Sequence, residues 1–236
     1  MSELKKTIEE NFKGQFITGL DDIIAKAAGM KAFIFDWDGV FNDGFKNDAG
    51  SSPYSETDSM GTNLLRFSHF LRTWQTPVFA IITGEKNHSA FALSNREHFH
   101  AVYFKIKHKA DALRHLCKQH NIKPSEVAFV FDDVLDLSVA KIAGLRFMVP
   151  HAATSMLQQF AVKNGWVDYI TQGEGHQFAV REVCELLISL TGQYDAVIQN
   201  RLEFSEKYRS YLSMRNDVNT AFYSVDGKNK IEPAIV

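Results

Sequence analysis

Hydrophobic positions along the 236-residue chain follow two alternating patterns. Short unbroken apolar runs, rich in β-branched and aromatic residues, lie at Ala32–Phe35, Val78–Ile82, Ala101–Phe104, Val127–Phe131 and Leu145–Val149. A run with no polar interruption suits a strand covered on both faces, as in a parallel sheet. The stretches between carry apolar residues at helical spacing: Gly61–Trp74, Asn87–Glu97, Lys109–His120, Leu135–Ala143 and Ser155–Asn164. Strands separated by helices of this length predict right-handed crossovers and a three-layer α/β/α, Rossmann-like domain around a parallel sheet, over residues 30–190. Residues 1–29 precede that rhythm as an N-terminal helical extension. Residues 43–58 are polar and turn-rich and follow the first strand. Residues 191–236 predict one amphipathic helix (Ala196, Val197, Ile198, Leu202, Phe204, Tyr208, Leu212) and then a polar tail.

Composition narrows the class. With 45% hydrophobic and 12% aromatic residues, and only 5 Pro and 14 Gly, the chain is a globular domain rather than a disordered one. A net charge of −2 excludes a general nucleic-acid binder, which needs a basic excess. No apolar run reaches the ~18 residues of a membrane span. The opening MSELKKTIEENFKG is charged and lacks the apolar core of a signal peptide. Two cysteines, Cys117 and Cys184, fit a reducing cytoplasm better than a disulfide scaffold, and both lie on apolar helix faces as core residues.

The chemistry sits at the strand ends. The first strand runs into Asp36-Trp37-Asp38-Gly39, and residues two apart on extended chain leave the same face. Ligands of open α/β sheets bind at the carboxyl ends of the strands. Taken alone, such a pair reads as a solvated acidic loop. The second strand ends in Thr83-Gly84, whose hydroxyl and amides suit phosphate oxygens, although a lone Thr-Gly is usually a turn or a helix cap. Lys109 opens a helix after the third strand, where a cation opposes the helix dipole. The fourth strand ends in Asp132-Asp133-Val-Leu-Asp136, three acids whose mutual repulsion a hard divalent cation would relieve. The order Asp-x-Asp, Thr, Lys, Asp-Asp-x-x-Asp at successive strand ends is jointly specific where each part is weak. No P-loop or GxGxxG fingerprint occurs.

With those residues in place, the sequence resembles the haloacid dehalogenase superfamily over about residues 30–200, and within it the capless sugar-acid phosphatases typified by 3-deoxy-D-manno-octulosonate 8-phosphate phosphatase. DWDGVFNDG resembles that group's DxDGVLTDG, and AIITGE matches the stretch around its second-strand Thr. VAFVFDDVLDLSV resembles its GDDxxDxxV, and GEGHQFAVREVCELLISLTGQ its Gly-rich AVRE tail. The resemblance implies Asp36 as nucleophile and Asp38 as acid and base. It implies Mg2+ held by Asp36, the main-chain carbonyl of Asp38, and Asp132, with Thr83 and Lys109 on the phosphoryl oxygens. Asp136 and Asp133 would orient Lys109 or metal-bound water. Gly84, Glu85, Asn42 and Asp58 are the candidates for substrate contact. A β-hairpin flap over 43–58, no large cap domain, a homotetramer, and a flap and Gly173–Arg181 loop near an adjoining subunit's site are further implications.

Several positions depart from the pattern. Phe131 stands where the group has Gly, Thr57 where it has Arg, Asn42 where it has Thr, and Glu85 where an Arg usually follows. Loss of two cations predicts a substrate other than the eight-carbon acid, and Glu85 is what relatives acting on nine-carbon sugar-acid phosphates carry. The expected activity is hydrolysis of a phosphomonoester of a small sugar acid. A catalytically weakened binding or regulatory module is the alternative, and a phosphomutase is disfavoured by a capless, open site. His98, His100 and His108 read as packing or surface histidines, and the sequon Asn87-His-Ser89 as unused.

Overall fold

Alternation along the central strands decides where the helices go. The computed structural model describes residues 3–226 and 230–236. In β2 (Ala32–Phe35), Phe33 and Phe35 enter one apolar cluster while Ala32 and Ile34 enter the other. β3 (Val78–Ile82), β4 (Ala101–Tyr103), β5 (Val127–Phe131) and β6 (Leu145–Met148) divide the same way. One face is covered by α2 (Leu20–Ala28), α3 (Glu56–Thr73), α4 (His88–Glu97) and α8 (Ala179–Leu190). The other is covered by α5 (Lys109–His120), α6 (Leu137–Ala140) and α7 (Ser155–Lys163). The three-layer α/β/α fold is therefore as expected.

The sheet is larger and more mixed than the apolar runs announce. Among the described residues nine strands run in the order β1-β7-β6-β5-β2-β3-β4-β8-β9. All neighbours are parallel except the two margins. There β1 (Gln15–Phe16) runs against β7 (Tyr169–Ile170), and β9 (Ile231–Pro233) against β8 (Ala221–Val225). The N-terminal helix α1 (Glu3–Asn11) buries Ile8 in the same core.

The C-terminal segment differs from the single helix and polar tail expected. Phe204 takes a left-handed φ of 48° and Ser205 caps a new turn through the Tyr208 amide. The helix accordingly splits into α9 (Tyr194–Leu202) and α10 (Glu206–Asn216). Beyond them β8 joins the edge of β4, with Tyr223 stacked on Tyr103 at 4.9 Å between ring centres. Covered by the sheet, α8 and the C-terminal pair, α3 is buried along most of its length.

Residues 43–58 form no β-hairpin. Residues 43–55 are a loop, several of whose amides are taken by side chains instead of a second strand. Asn47 Oδ1 accepts from Ala49 at 3.0 Å and Ser51 at 2.9 Å, and Asp43 Oδ1 from Phe45 at 3.1 Å. Ser55 then caps α3, which begins at Glu56 rather than Gly61. Only this loop lies between β2 and α3, too short for a separate cap domain. The helix expected over Leu135–Ala143 is a 3-10 turn, Val134–Asp136, running into the short α6. Among the described residues no helix is long and apolar enough to cross a membrane.

Candidate active site at the strand ends

β3 and β5 flank β2, so their carboxyl ends bring Thr83, Asp132 and Asp36 to one rim of the sheet. The Asp36 amide extends the ladder by donating to the Val130 carbonyl at 2.9 Å, which sets the carboxylate just past the last strand residue. Lys109, first residue of α5, reaches in from the next crossover. Its Nζ lies 2.7 Å from Asp36 Oδ1 and 2.6 Å from Asp136 Oδ1. Burial works against its charge, but the two carboxylates outweigh burial and hold the ammonium well above its usual pKa.

Asp36, Asp132 and Asp136 are all buried, and one carboxylate oxygen from each lies within 4.8 Å of the others. Burial, then the Asp136 charge, pushes Asp36 well above the usual carboxylate range; Lys109 opposes and Asp132 adds to the rise. Asp132 is raised as well, by burial first, against the hydrogen bond it accepts from His151. One oxygen, Oδ1 of Asp132, is buried with no hydrogen-bond partner. Three carboxylates facing one ammonium leave negative charge uncompensated in a poorly hydrated place, which is costly without a further cation. The all-oxygen donor set suits a hard divalent ion. Gly39, at φ 86°, makes this approach possible, because a Cβ there would collide with the Asp132 carboxylate.

Asp38 is turned elsewhere. Its carboxylate accepts from Lys46 Nζ and from Ser52 Oγ, each at 2.6 Å, both from the loop after β2. The third carboxylate of the buried trio is thus Asp136, and the Asp38 side chain stands outside it. The loop itself is pinned to the start of α4. Ser51 Oγ donates to Asn87 Oδ1 at 2.9 Å, and Asn87 is fully buried as the helix cap.

Thr83 is buried at the end of β3, where its hydroxyl accepts from the Glu85 amide at 3.4 Å. Gly84 is half-buried and Glu85 exposed on the turn that follows. Asp133 does not orient Lys109. It is exposed and caps the 3-10 turn through the Val134 amide at 2.6 Å, while Lys109 meets Asp36 and Asp136. Asn42 acts within its own turn rather than presenting a free amide. It accepts from Gly44 at 2.9 Å and donates to the Trp37 carbonyl at 3.3 Å. Asp58 accepts from the Arg181 amide at 2.8 Å, capping the first turn of α8 from inside α3. It sits at the helix-packing interface rather than at the strand ends.

The Gly173–Arg181 loop lies against its own chain's first turn: a Cβ on Gly175 would run into the carbonyls of Asn42 and Gly39. Glu182 explains the acidic residue of the AVRE stretch, because its carboxylate takes the Gln172 and Gly173 amides at 2.9 and 3.1 Å and the Tyr169 hydroxyl at 2.7 Å.

Three contributors went unread in the sequence: Lys46, Ser52 and His151. His151 Nε2 lies 3.0 Å from Asp132 Oδ2, and that hydrogen bond raises the imidazole pKa against the effect of burial. Lys46 and Ser52 carried a weak signal, a lone cation and hydroxyls in a loop next to the acids; His151 carried none. The histidines expected to pack do so: His98 meets the Val218 carbonyl at 2.8 Å and His100 accepts from Phe79 at 3.2 Å. Both cysteines are buried and free.

No family model matches the chain. Among curated proteins, the 3-deoxy-D-manno-octulosonate 8-phosphate phosphatase of Escherichia coli strain K12 is 30% identical over 178 residues, covering 74% of this chain and 87% of its own. The Yersinia pestis protein of the same name is 28% identical over 172 residues, 71% of this chain and 84% of its own. The Moraxella catarrhalis phosphatase, solved with magnesium ion, phosphate ion and KDO, superposes with a TM-score of 0.66 at 28% identity, covering 78% of this chain and 99% of that one. A HAD superfamily (subfamily III A) hydrolase structure from Legionella pneumophila gives 0.65 at 26% identity, over 78% and 96%. A likeness of 30% identity that runs through most of both chains places this protein in the haloacid dehalogenase superfamily, in the family of the 3-deoxy-D-manno-octulosonate 8-phosphate phosphatases.

Proposed function

We propose that the chain is a Mg2+-dependent phosphatase that hydrolyses the phosphomonoester of a small sugar acid, of the octulosonate or nonulosonate type, through an aspartyl phosphate. The observation that carries this is the buried trio Asp36, Asp132 and Asp136 with one shared ammonium and one unpartnered oxygen. The magnesium, phosphate and sugar acid of the Moraxella complex suit the same donor set.

Asp36 attacks phosphorus while the bond to the sugar oxygen breaks. The electron pair leaves with that oxygen, which takes a proton from Asp38. Asp38 then accepts a proton from water as the water displaces Asp36 from phosphorus, restoring both residues. Asp36, Asp132 and the main-chain carbonyl of residue 38 would hold the metal, with Asp136 beside them; bound there, it neutralises phosphoryl charge. Lys109 and Thr83 hold the phosphoryl oxygens, and positioning plus electrostatics is most of what a protein adds to this reaction. For Asp38 to reach the leaving oxygen it must exchange Lys46 and Ser52 for the substrate. The catalytic reading is favoured over a binding module because nucleophile, ammonium, hydroxyl and acid trio are all present in one place. A homotetramer acting in the cytoplasm belongs to the same proposal, by resemblance.

The test is phosphate release from a panel of five- to nine-carbon sugar phosphates and sugar-acid phosphates, with and without Mg2+. Metal-dependent turnover of an acid-bearing substrate, abolished in a folded Asp36→Asn variant, is expected. Unchanged release by that variant would refute the mechanism.

A further inference from the structure

A groove of about 250 Å³ lies between α3, α4 and the α9–α10 pair and is lined by none of the acid trio. Ser59, Asn63, Arg96, Arg201, Tyr208 and Arg215 line it. Its arginines differ in how their N–H groups are used. Arg96 grips Glu56 at 2.6 and 3.1 Å and reaches Ser59 Oγ at 2.7 Å. Arg215 meets Glu97 Oε2 at 3.1 Å, and Arg66 behind it meets the same oxygen at 3.0 Å. Arg201 is different. Among the described residues its guanidinium donates no hydrogen bond and pairs with no carboxylate. It stacks on the Tyr208 ring at 4.9 Å, and its Nε is buried without a partner.

Four guanidinium groups therefore gather around two carboxylates, Glu97 largely buried between Arg66 and Arg215 and Glu56 exposed with Arg96. A buried donor left unpaired costs free energy, and like charges repel more strongly where water is scarce. The repulsion falls if an oxyanion binds, and a guanidinium fork matches phosphate geometry. The cup is also preorganised: the Tyr208 hydroxyl donates to Asn63 Oδ1 at 2.9 Å, which fixes the ring under Arg201. Residues beyond about Arg201 have no counterpart in the resemblance that identified the catalytic site. We propose that this groove is a second anion site, which takes a small phosphate-bearing molecule on Arg201, with Arg215, whose Nε and Nη2 already donate to Asn216 Oδ1 at 3.0 and 2.9 Å, adding positive charge beside it.

The test is isothermal titration of the full chain with inorganic phosphate in EDTA at low ionic strength. Without a divalent ion the acid trio repels phosphate, so the heat reports the groove. One phosphate per chain is expected, with affinity about tenfold weaker in Arg201→Gln and intermediate in Arg201→Lys, which keeps the charge but not the fork. Thr83→Val should leave this binding unchanged. Absence of saturable heat, equal binding by wild type and Arg201→Gln, or loss in Thr83→Val instead would each overturn the assignment. Should Arg201→Gln fail to fold, the Arg201→Lys comparison decides.

Discussion

His151 Nε2 donates to Asp132 Oδ2 across 3.0 Å, tying the loop after β6 to the acid at the end of β5. The bond occupies one oxygen of Asp132 and leaves the other, Oδ1, buried and unpartnered. Partners of this kind orient a ligating carboxylate, and removing one costs about 10- to 100-fold in metal affinity. His151→Ala is expected to weaken Mg2+ binding by that factor, while His151→Gln, which retains a donor, loses less. Titration of Mg2+ into each variant checks this; equal affinities would remove His151 from the metal site.

Among the described residues Lys109 is the one ammonium between Asp36 and Asp136, and it is almost wholly buried. Lys109→Met leaves these carboxylates without it. Breaking a buried ion pair from one side costs about 3–5 kcal/mol. The variant is expected to lose that much stability in urea at neutral pH, to recover part of it in Mg2+, and to show no turnover. Full stability without added metal would mean that the trio is already neutral.

Asp58 lies between α3 and α8, and burial pushes its carboxyl from 3.8 up to about 7, against the Arg181 amide it accepts from and the Arg181 charge. The folded chain therefore keeps a proton that the unfolded chain releases near pH 4. The favourable contribution of this group is present below that pH and is lost as pH rises toward about 7. Asp58→Asn keeps the acceptor and removes the ionisation. Its stability relative to wild type should climb through that window and reach on the order of a few kcal/mol by pH 8. Parallel melting curves of the two proteins from pH 5 to 8 measure the difference; a constant offset would contradict the assignment.

The central strands were readable because β2, β3 and β5 are unbroken apolar runs, and burial on both faces leaves that trace in any order of contacts. Asp36, Thr83 and Asp132 were readable because each sits immediately beyond a strand whose end the pattern marks, Lys109 because it opens a helix, and Asp136 because it belongs to the acidic run after β5. Strands β1 and β7 are two residues each, too short to carry a period. The break at Phe204 has no glycine to announce it, so α9 and α10 read as one helix. Long-range partners were the harder case. His151 lies 19 residues from Asp132, and Asp58 lies 123 residues from Arg181. Local pattern holds no information on such pairs. Asn42 and Asp58 were assigned to substrate for that reason, although their acceptors were already committed to backbone amides.

Strands from opposite ends of the chain seal the two rims of the sheet, β1 beside β7 and β9 beside β8. Six parallel strands, β2–β7, can therefore assemble and still present raw hydrogen-bonding edges until β1 docks on β7 and the β8–β9 pair docks on β4. Contacts of such long sequence separation form late and slowly. A ribosome-bound or partly frayed molecule would expose these rims to a second copy, so docking of the terminal segments guards against intermolecular strand addition as well as completing the core.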